Sequence, residues 1–426
     1  HIADVGHYVR PGTALDREAF ARGTSVYLPG RVLPMLPEQL CNGVCSLRPN
    51  EDKFTMTALM EIDDAGRVVD ERIARTITCS KARLVYDDVN ALFNGSEQQA
   101  DAMAAVADTL RRMRALAGKL RARRQAQGCI DFEIDEPGFV LDDKGEPVEI
   151  ITRERGEAEM MIEDFMLAAN ETVAEDFYWQ QVPFLYRTHE TPEGDKIRAL
   201  AAFIANFGYG IRGVSEEIHP KELQKLLARI AGTPEEPMIS RMALRSMKQA
   251  AYTTTCSGHF GLAAKYYCHF TSPIRRYPDL QIHRIIKEVL RGRMKEDRIS
   301  HYTELLPAVA EHCSKTERRA DEAERDTVKM KKAEYMKQHI GEEYDAVISG
   351  ITSFGIYAEL PNTVEGLIHV SRMYDDRYYY KEETYEMYGI DTGRVFRLGD
   401  TIRIRVVDAD KATKTVDFEL VSEKGL

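Results

Sequence analysis

The hydrophobic pattern of this chain changes at Gly341, and the change limits the fold to two unlike parts. Before it, apolar residues recur mostly at spacings of three and four, which indicates amphipathic helices. After it, the stretch EEYDAVISGITSFGIYAELPNTVEGLIHVSRM alternates, is rich in β-branched residues and is interrupted by glycines. About five short strands in roughly 80 residues are typical of a small barrel of the OB type. The sequence therefore predicts an α+β protein, with a large mixed α/β domain over residues 1–338 and an all-β OB-fold barrel over residues 341–422.

Within the first part, helical spacing alternates with two strand pairs. A hairpin is predicted where FTMTALMEID and VVDERIARTITC flank the turn DAGR, and a second where CIDFEI and GFVLDDKGEPVEII turn at Lys144-Gly145. Ser96 is a suitable N-cap for one long helix that ends at Gly128. The predicted helices cover residues 97–127, 156–178, 193–207, 220–231, 240–250, 277–292 and 301–338.

Composition excludes several classes of protein. The chain has 426 residues, of which 43% are hydrophobic and 30% charged, so disorder, collagen and a single coiled coil are excluded. No apolar run approaches the roughly 18 residues that a transmembrane helix needs. Seven cysteines, an odd number at wide spacing, favour a reducing cytoplasm over a disulfide framework. The net charge of −11 argues mildly against nucleic-acid binding, which draws on Lys and Arg.

Aromatic residues in the predicted barrel, in contrast to the net charge, suggest binding to nucleic acid. Phe354 and Tyr357 are predicted on one strand and His369 on another, where exposed rings would form stacking platforms for unpaired bases. The alternative is that these rings fill the barrel core. The tyrosine-rich segment YDDRYYYKEETYEMYG could add stacking surface, but a packed loop is the favoured interpretation.

A second candidate site lies in HFTSPIRRYPDLQIHR, residues 269–284. Pro273 favours an extended Ser272 and leaves Arg275 and Arg276 near a helix start. Guanidinium groups at a helix N-terminus suit a phosphate, although surface ion pairs are the common fate of such a pair. Asp279 and His283 have the i,i+4 spacing of metal ligands, and a hydrogen bond along the helix face is the favoured alternative.

These motifs resemble those of a known family. HIADVGHYV, GTSVYLPGRVLPMLPEQLCNGVCSLRPNEDK, SKARLVYDDV, IEDFMLAAN, GHFGLA followed by HFTSPIRRYPDLQIHR, and RRADEAERD resemble, in order, the catalytic domain of the RNase II/RNase R exoribonucleases. The forms FTSPIRRYPDL and ERRADEAERD are closer to the RNase R branch. The C-terminal pattern, FGIYAEL followed by EGLIHVS, resembles the RNA-binding OB module called the S-one domain. In that module, the positions matching Phe354, Tyr357 and His369 contact single-stranded RNA.

The resemblance implies roles for individual residues of the catalytic domain. Tyr27 and Phe132 match aromatic residues that stack on the bases at the 3′ end of RNA. Tyr86 matches a tyrosine that limits how short the final product becomes. Glu163 matches a carboxylate near the terminal nucleotide, and Arg275 matches the arginine on the scissile phosphate. Arg276, beside it, is expected to line the RNA channel.

The implied activity is processive 3′→5′ hydrolysis of single-stranded RNA to nucleoside 5′-monophosphates, by a cytoplasmic monomer in RNA decay. The family holds Mg²⁺ with an Asp-rich motif that we expect upstream of His1, so this chain alone is expected to be inactive. The first alternative is a non-catalytic RNA-binding protein that keeps the channel and the barrel. The second, which is disfavoured, is a metal hydrolase built on His1, His7, Asp279 and His283.

Overall fold

Helices are the main secondary structure before Gly341 in the computed structural model, which describes residues 1–132, 136–153, 155–213, 217–233, 235–382 and 384–421. In those ranges the helices are α1 (Val5–Tyr8), α2 (Ala14–Arg22), α3 (Tyr86–Phe93), α4 (Glu97–Ala102), α5 (Ala107–Gln127), α6 (Glu157–Trp179), α7 (Gly194–Ala205), α8 (Pro220–Ile230), α9 (Glu236–Ser246), α10 (Tyr277–Leu290) and α11 (Glu296–Met336).

The strands divide between short hairpins in the first part and a barrel in the second. They are β1 (Ile2–Ala3), β2 (Val26–Leu28), β3 (Arg31–Leu33), β4 (Asp52–Ile62), β5 (Val68–Cys79), β6 (Glu136–Leu141), β7 (Pro147–Arg153), β8 (Tyr186–Thr188), β9 (Ala251–Thr253), β10 (Glu343–Thr352), β11 (Gly355–Glu359), β12 (Glu365–His369), β13 (Tyr378–Lys381), β14 (Glu386–Gly389), β15 (Val395–Phe396), β16 (Thr401–Asp410) and β17 (Thr415–Leu420).

The predicted helix over 97–127 is two helices, although both of its predicted ends are right. The Ser96 hydroxyl accepts a hydrogen bond from the Gln99 amide, and Gly128 ends α5 in the left-handed conformation. The chain turns between α4 and α5, where Met103 and Ala107 are buried against α3 and α6. The break therefore places Met103 and Ala107 in this cluster, whereas α4 itself has no buried residue.

The two predicted hairpins have different outcomes. β4 and β5 pair antiparallel as expected, with β1 on the outer side of β4. The second hairpin pairs β6 with β7, and its turn is held by the Asp142 carboxylate, which accepts from the Lys144 and Glu146 amides. Its predicted first strand, CIDFEI, is wrong over residues 129–132, which are irregular, and residues 133–134 lie outside the described ranges.

The core of the first part surrounds α10, in which every residue from Tyr277 to Lys287 is buried. Three buried acidic residues neutralise the basic groups there. Asp4 pairs with Lys287 at 2.5 Å, and Asp16 pairs with Arg284 at 2.7 Å. The third is Asp279, described with the candidate site below. Since an unpaired buried charge is costly, these pairs tie the start of the chain to α10.

The second part is a closed barrel in the order β10-β11-β12-β17-β16, so the predicted OB architecture is confirmed. Ile356, Ile368 and Phe418 are fully buried inside it. Ala333 and Met336, near the end of α11, pack into the same core, so the helix and the barrel share apolar surface. The domain limits at 338 and 341 stay predictions.

The tyrosine-rich insertion does not form the predicted packed loop. It contributes β13 and β14 to a three-stranded antiparallel sheet, β13-β14-β15, anchored by the buried side chains of Met387 and, on β15 beyond the insertion, Phe396. Tyr379 and Tyr388 stack across the first pair of strands with ring centroids 5.4 Å apart. Such cross-strand aromatic pairs stabilise a small sheet that has little core of its own.

Among the described residues, no helix is both long enough and apolar enough to cross a lipid bilayer.

The buried pair between Asp4 and Lys287 gives a stability test. Asp4→Ala leaves the Lys287 ammonium buried without its partner, so the free energy of unfolding should fall by about 3–5 kcal/mol. Glu18→Ala breaks the exposed Glu18–Arg22 pair and should cost less than about 1 kcal/mol. Urea denaturation followed by circular dichroism compares the two variants. Equal, small losses would show that the buried pair does not anchor the chain.

Candidate nucleic-acid interface

An extended segment, residues 267–272, passes between α6 and α10 and leads to the predicted arginine pair. The Asn170 carboxamide on α6 holds it from one side, since its oxygen accepts from the Phe270 amide at 2.9 Å and its nitrogen donates to the Tyr267 hydroxyl at 3.2 Å. On the other side, His283 Nε2 donates to the Phe270 carbonyl at 2.8 Å. Because these partners are buried, the backbone of the segment is fixed in one position.

A tight turn after this segment carries Arg275. The Asp279 carboxylate accepts from the Ser272 amide at 2.7 Å, and Pro273 follows directly. The Arg275 carbonyl accepts from the Ser25 amide at 2.9 Å, two residues before Tyr27. The side chain of Arg275 is exposed, and in the described part of the chain no carboxylate forms an ion pair with it. The turn thus presents an uncompensated guanidinium group from a rigid backbone.

Arg276 has a different environment from its neighbour. Its Nε and Nη2 atoms donate to both oxygens of Asp279, at 2.9 and 2.8 Å, and its side chain is only 15% exposed. Burial raises the pKa of Asp279, and the Arg276 guanidinium opposes that rise. Such a bidentate pair orients the turn. Two of the Arg276 donors are thus bonded to Asp279, and the predicted contact of Arg276 with RNA stays a prediction.

The predicted hydrogen bond between Asp279 and His283 is wrong. Asp279 is turned toward Ser272 and Arg276, whereas His283 reaches the Phe270 carbonyl. Burial lowers the pKa of His283 to about 4, so the ring is neutral at physiological pH. The two residues hold successive parts of the same segment instead of each other.

The predicted clamp residues, Tyr27 and Phe132, and the predicted product-limiting Tyr86 lie in three separate parts of the chain. Tyr27 on β2 and Tyr86, the first residue of α3, are each 47% exposed. The Tyr27 amide donates to a carboxylate oxygen of Glu324 on α11 at 2.7 Å. Phe132 is half-buried against a cluster that includes Ile130 and Phe260. The structure leaves both tyrosine rings accessible, as a stacking role requires, whereas Phe132 is partly packed.

Glu163 and the Phe132 region are brought together by Arg155, which sequence reasoning missed. The Arg155 guanidinium donates to Glu163 at 3.2 Å and to Asp131, beside Phe132, at 2.8 Å. Next to Glu163 on α6, the buried Asp164 pairs with two arginines of α5, Arg121 and Arg124. The basic run in α5 was the available sequence signal for these pairs.

On the barrel, strand register brings the predicted RNA-contacting residues onto one face. Gly355 pairs with His369 and Tyr357 with Leu367, so Tyr357 and His369 point to the same side of the sheet. That side is the outer one, since Ile356 and Ile368 fill the interior, and the core-filling alternative for these rings is wrong. Phe354 lies in the turn before β11 instead of on the strand as predicted. Its ring is 45% exposed and meets Tyr357 edge to face, with centroids 6.1 Å apart.

The residues of the alternative metal hydrolase do not form a metal site. His1 Nδ1 is hydrogen bonded to the Thr57 hydroxyl at 2.7 Å, and the ring of His7 packs on Phe54. Across the described ranges, no group of three or more His, Cys, Asp or Glu side chains could hold a metal ion. These residues therefore do not fit Mg²⁺.

Two family models match consecutive parts of the chain. The RNB domain matches residues 1–292, and the S1 RNA binding domain matches residues 337–420. The chain belongs to the RNB family. The predicted resemblance is therefore confirmed, and the RNB match includes the segment that carries Arg275.

Relatives in the RNB family resemble the chain over almost its whole length. Ribonuclease R 1 of Lactococcus lactis is 46% identical over 419 residues, covering 98% of this chain and 51% of that protein. Ribonuclease R of Thermotoga maritima is 46% identical over 427 residues, covering 99% and 60%. The solved structure of Mycoplasma genitalium RNase R in complex with ribose methylated single-stranded RNA has a TM-score of 0.91 at 29% identity, covering 99% and 66%. The chain thus spans about half to three-fifths of these two curated relatives.

His283 gives this RNB segment a pH-dependent stability. Unfolding restores the ordinary pKa of about 6.5 to a ring whose folded pKa is about 4, so the unfolded chain binds the proton first as pH falls. Between pH 7 and pH 5 this residue should cost about 2 kcal/mol of stability. Urea denaturation at both pH values measures the loss.

His283→Gln is the matched variant, because its amide nitrogen can still donate to the Phe270 carbonyl but does not titrate. The pH-dependent loss should shrink by about 2 kcal/mol in this variant. An unchanged pH dependence would show that His283 is not the neutral, buried donor described here.

Proposed function

We propose that the protein to which this chain belongs is a processive 3′→5′ exoribonuclease that hydrolyses single-stranded RNA to nucleoside 5′-monophosphates. The observation that carries the proposal is the 46% identity to Ribonuclease R over 98% of the chain. Arg275 on its rigid turn and the outward-facing aromatic residues of the barrel support it. We further propose a monomeric protein in a reducing cytoplasm, in keeping with seven cysteines that are all free.

The residues of this chain would bind and orient RNA without reading its sequence. Tyr27 and Phe132 would stack on the terminal bases, and each stacked base is worth about 1–3 kcal/mol whatever its identity. Tyr86 would lie at the end of the channel and set the shortest product. On the barrel, Phe354, Tyr357 and His369 would hold the strand upstream of the cleaved bond. Stacking of this kind suits an enzyme that must degrade every sequence.

Charge at the cleaved phosphate would be met by Arg275. Negative charge develops on the phosphate oxygens as the bond breaks, and a fixed guanidinium stabilises it without reorganisation. Glu163, bridged to Asp131 by Arg155, would accept hydrogen bonds from the terminal nucleotide. Mg²⁺, which we propose is held by aspartates outside this chain, would supply Lewis-acid chemistry when bound.

A non-catalytic RNA-binding protein is the second candidate, favoured by the lack of a metal-binding cluster among the described residues. Incubation of the complete protein with Mg²⁺ and a 3′-overhang RNA separates the candidates. Release of nucleoside 5′-monophosphates supports the exoribonuclease. Tight RNA binding without any release would support the binding protein instead.

Arg275 gives the sharpest test of the catalytic assignment. In the complete protein, Arg275→Ala should lower kcat by about 100-fold or more, because stabilisation of developing charge is lost. The Kd for RNA should change by less than about threefold, since one phosphate contact contributes little to a long interface. Arg293→Ala, at another exposed arginine, is the control and should change neither value. A large rise in Kd at unchanged kcat would show that Arg275 only positions the strand.

A further inference from the structure

A polar groove of about 410 Å³ lies between the C-terminal end of α6, the start of α8 and the loop over residues 256–266. The loop contains the motif GHFGLA and is folded back on itself. The His259 amide donates to the Ala264 carbonyl at 2.8 Å, and the Phe260 amide donates to the His189 carbonyl at 2.8 Å. Gly258 has a φ of +81°, and a Cβ there would lie 3.1 Å from the Ala264 carbonyl oxygen. The wall of the groove is therefore rigid.

Three histidines line this groove, and each uses Nδ1 as an acceptor. His259 Nδ1 accepts from the Leu262 amide at 3.2 Å, and His189 Nδ1 accepts from the Gly261 amide at 3.1 Å. His219 Nδ1 accepts from the Lys221 amide at 3.2 Å, at the N-terminus of α8. An imidazole that accepts at Nδ1 carries its hydrogen on Nε2. All three rings are thus Nε2–H donors, a state that rules out Nε2 as a metal ligand.

The two inner rings stay neutral donors. Burial, together with the neighbouring His189, lowers the pKa of His259 to about 3. Burial also lowers the pKa of His189, partly opposed by a backbone interaction with Lys248. His189 is 7% exposed, and its Nε2 makes no hydrogen bond of standard geometry with the described residues. Neutral donors bind an acceptor without the cost of burying another charge.

The charge of the groove is opposite to that of the whole chain. Although Asp and Glu outnumber Lys and Arg by 69 to 58, no carboxylate is found among the described residues that line the groove. Lys265 contributes an exposed ammonium group, and the start of α8, an 11-residue helix, lies at the same groove. Both features favour an anion. A lining that is rich in hydrogen-bond donors and has no carboxylates is suited to binding a phosphate group.

Aromatic rings border the same groove. Tyr178 is 41% exposed, and its ring lies 4.8 Å from that of Tyr266, over which the Lys265 ammonium sits. Trp179, the only tryptophan of the chain, is 66% exposed, with its ring 5.4 Å from that of Tyr178. A base placed beside a phosphate in the groove would therefore meet an aromatic face.

We propose that this groove is a nucleotide-binding site, in which His259, His219 and Lys265 hold a phosphate group and Tyr178 stacks on the base. The phosphate can belong to a free nucleoside monophosphate or to an RNA strand. The choice of nucleotide probes rests on the proposed function, but binding at the groove does not require RNA cleavage.

Trp179 provides a binding signal that is independent of catalysis. Titration of this chain with AMP, without Mg²⁺, should quench its fluorescence in a saturable way. Adenosine, which lacks the phosphate, should bind at least about tenfold more weakly, as expected when a hydrogen-bonded charge is lost. A short single-stranded RNA is the second probe. If neither AMP nor RNA gives saturable quenching, or if adenosine matches AMP, the proposal is overturned.

Matched variants locate the signal. His259→Asn keeps an acceptor at the Nδ1 position but removes the Nε2–H donor, whereas His259→Gln keeps a donor at the Nε2 position. The first should raise the Kd for the bound probe about tenfold, and the second should largely restore it. Lys265→Glu, at an exposed position that leaves the fold intact, should weaken binding similarly, and Lys144→Glu in the β6–β7 turn should not.

The pattern of variant effects identifies the source of the phosphate. If the two variants, His259→Asn and Lys265→Glu, lose affinity only for AMP, the groove binds free mononucleotides. If they lose affinity only for RNA, the groove binds the RNA strand. Equal affinities in the parent chain, His259→Asn and Lys265→Glu, with unchanged thermal unfolding, would refute the site. An inactive full-length protein with intact AMP binding would contradict the proposed function alone.

Discussion

The rest of this structure depends on a set of buried hydrogen bonds to an extended backbone segment, residues 267–272. Asn170 on α6 and His283 on α10 hold the two sides of Phe270, and Asp279 holds Ser272. The Tyr267 carbonyl accepts from the Arg187 amide of β8 at 2.9 Å, whereas side chains satisfy the Phe270 amide, the Phe270 carbonyl and the Ser272 amide. The same bonds decide where the next turn begins, and that turn carries Arg275. The packing of α6 and α10 thereby determines the position of the exposed Arg275 guanidinium group.

The net charge of the chain does not predict the local charge at each site, because some charged side chains are paired and others are not. Buried carboxylates of the first part, such as Asp4, Asp164 and Asp279, form ion pairs with lysine or arginine side chains. Arg275 keeps its charge available. A chain of net charge −11 can thus present local positive potential to a polyanion while its acidic exterior faces solvent. The barrel adds stacking rings, which bind bases with little dependence on net charge.

Local sequence rules predicted the local features and missed the distant ones. The caps at Ser96 and Gly128 follow from the local sequence alone, whereas spacing left open whether Tyr357 faces outward or fills the barrel core. The bond between Asn170 and Phe270 joins residues 100 positions apart, and no periodicity signals it. The pairing of Arg276 with Asp279 was within reach, since the two residues stand three apart at a helix start. The β13–β15 sheet was missed because its short strands lack an alternating pattern and depend on two buried anchors.

The central claim is that buried side chains of α6 and α10 hold the segment that carries Arg275. Hydrogen exchange measured by mass spectrometry on peptides covering residues 269–276 tests it most directly. The amides of Phe270 and Ser272 should exchange as slowly as those of α10, because their acceptors are buried carboxamide and carboxylate oxygens. In Asp279→Ala the Ser272 amide should exchange at least about tenfold faster, with α10 itself still protected. Rapid exchange of both amides in the unaltered chain would contradict the claim.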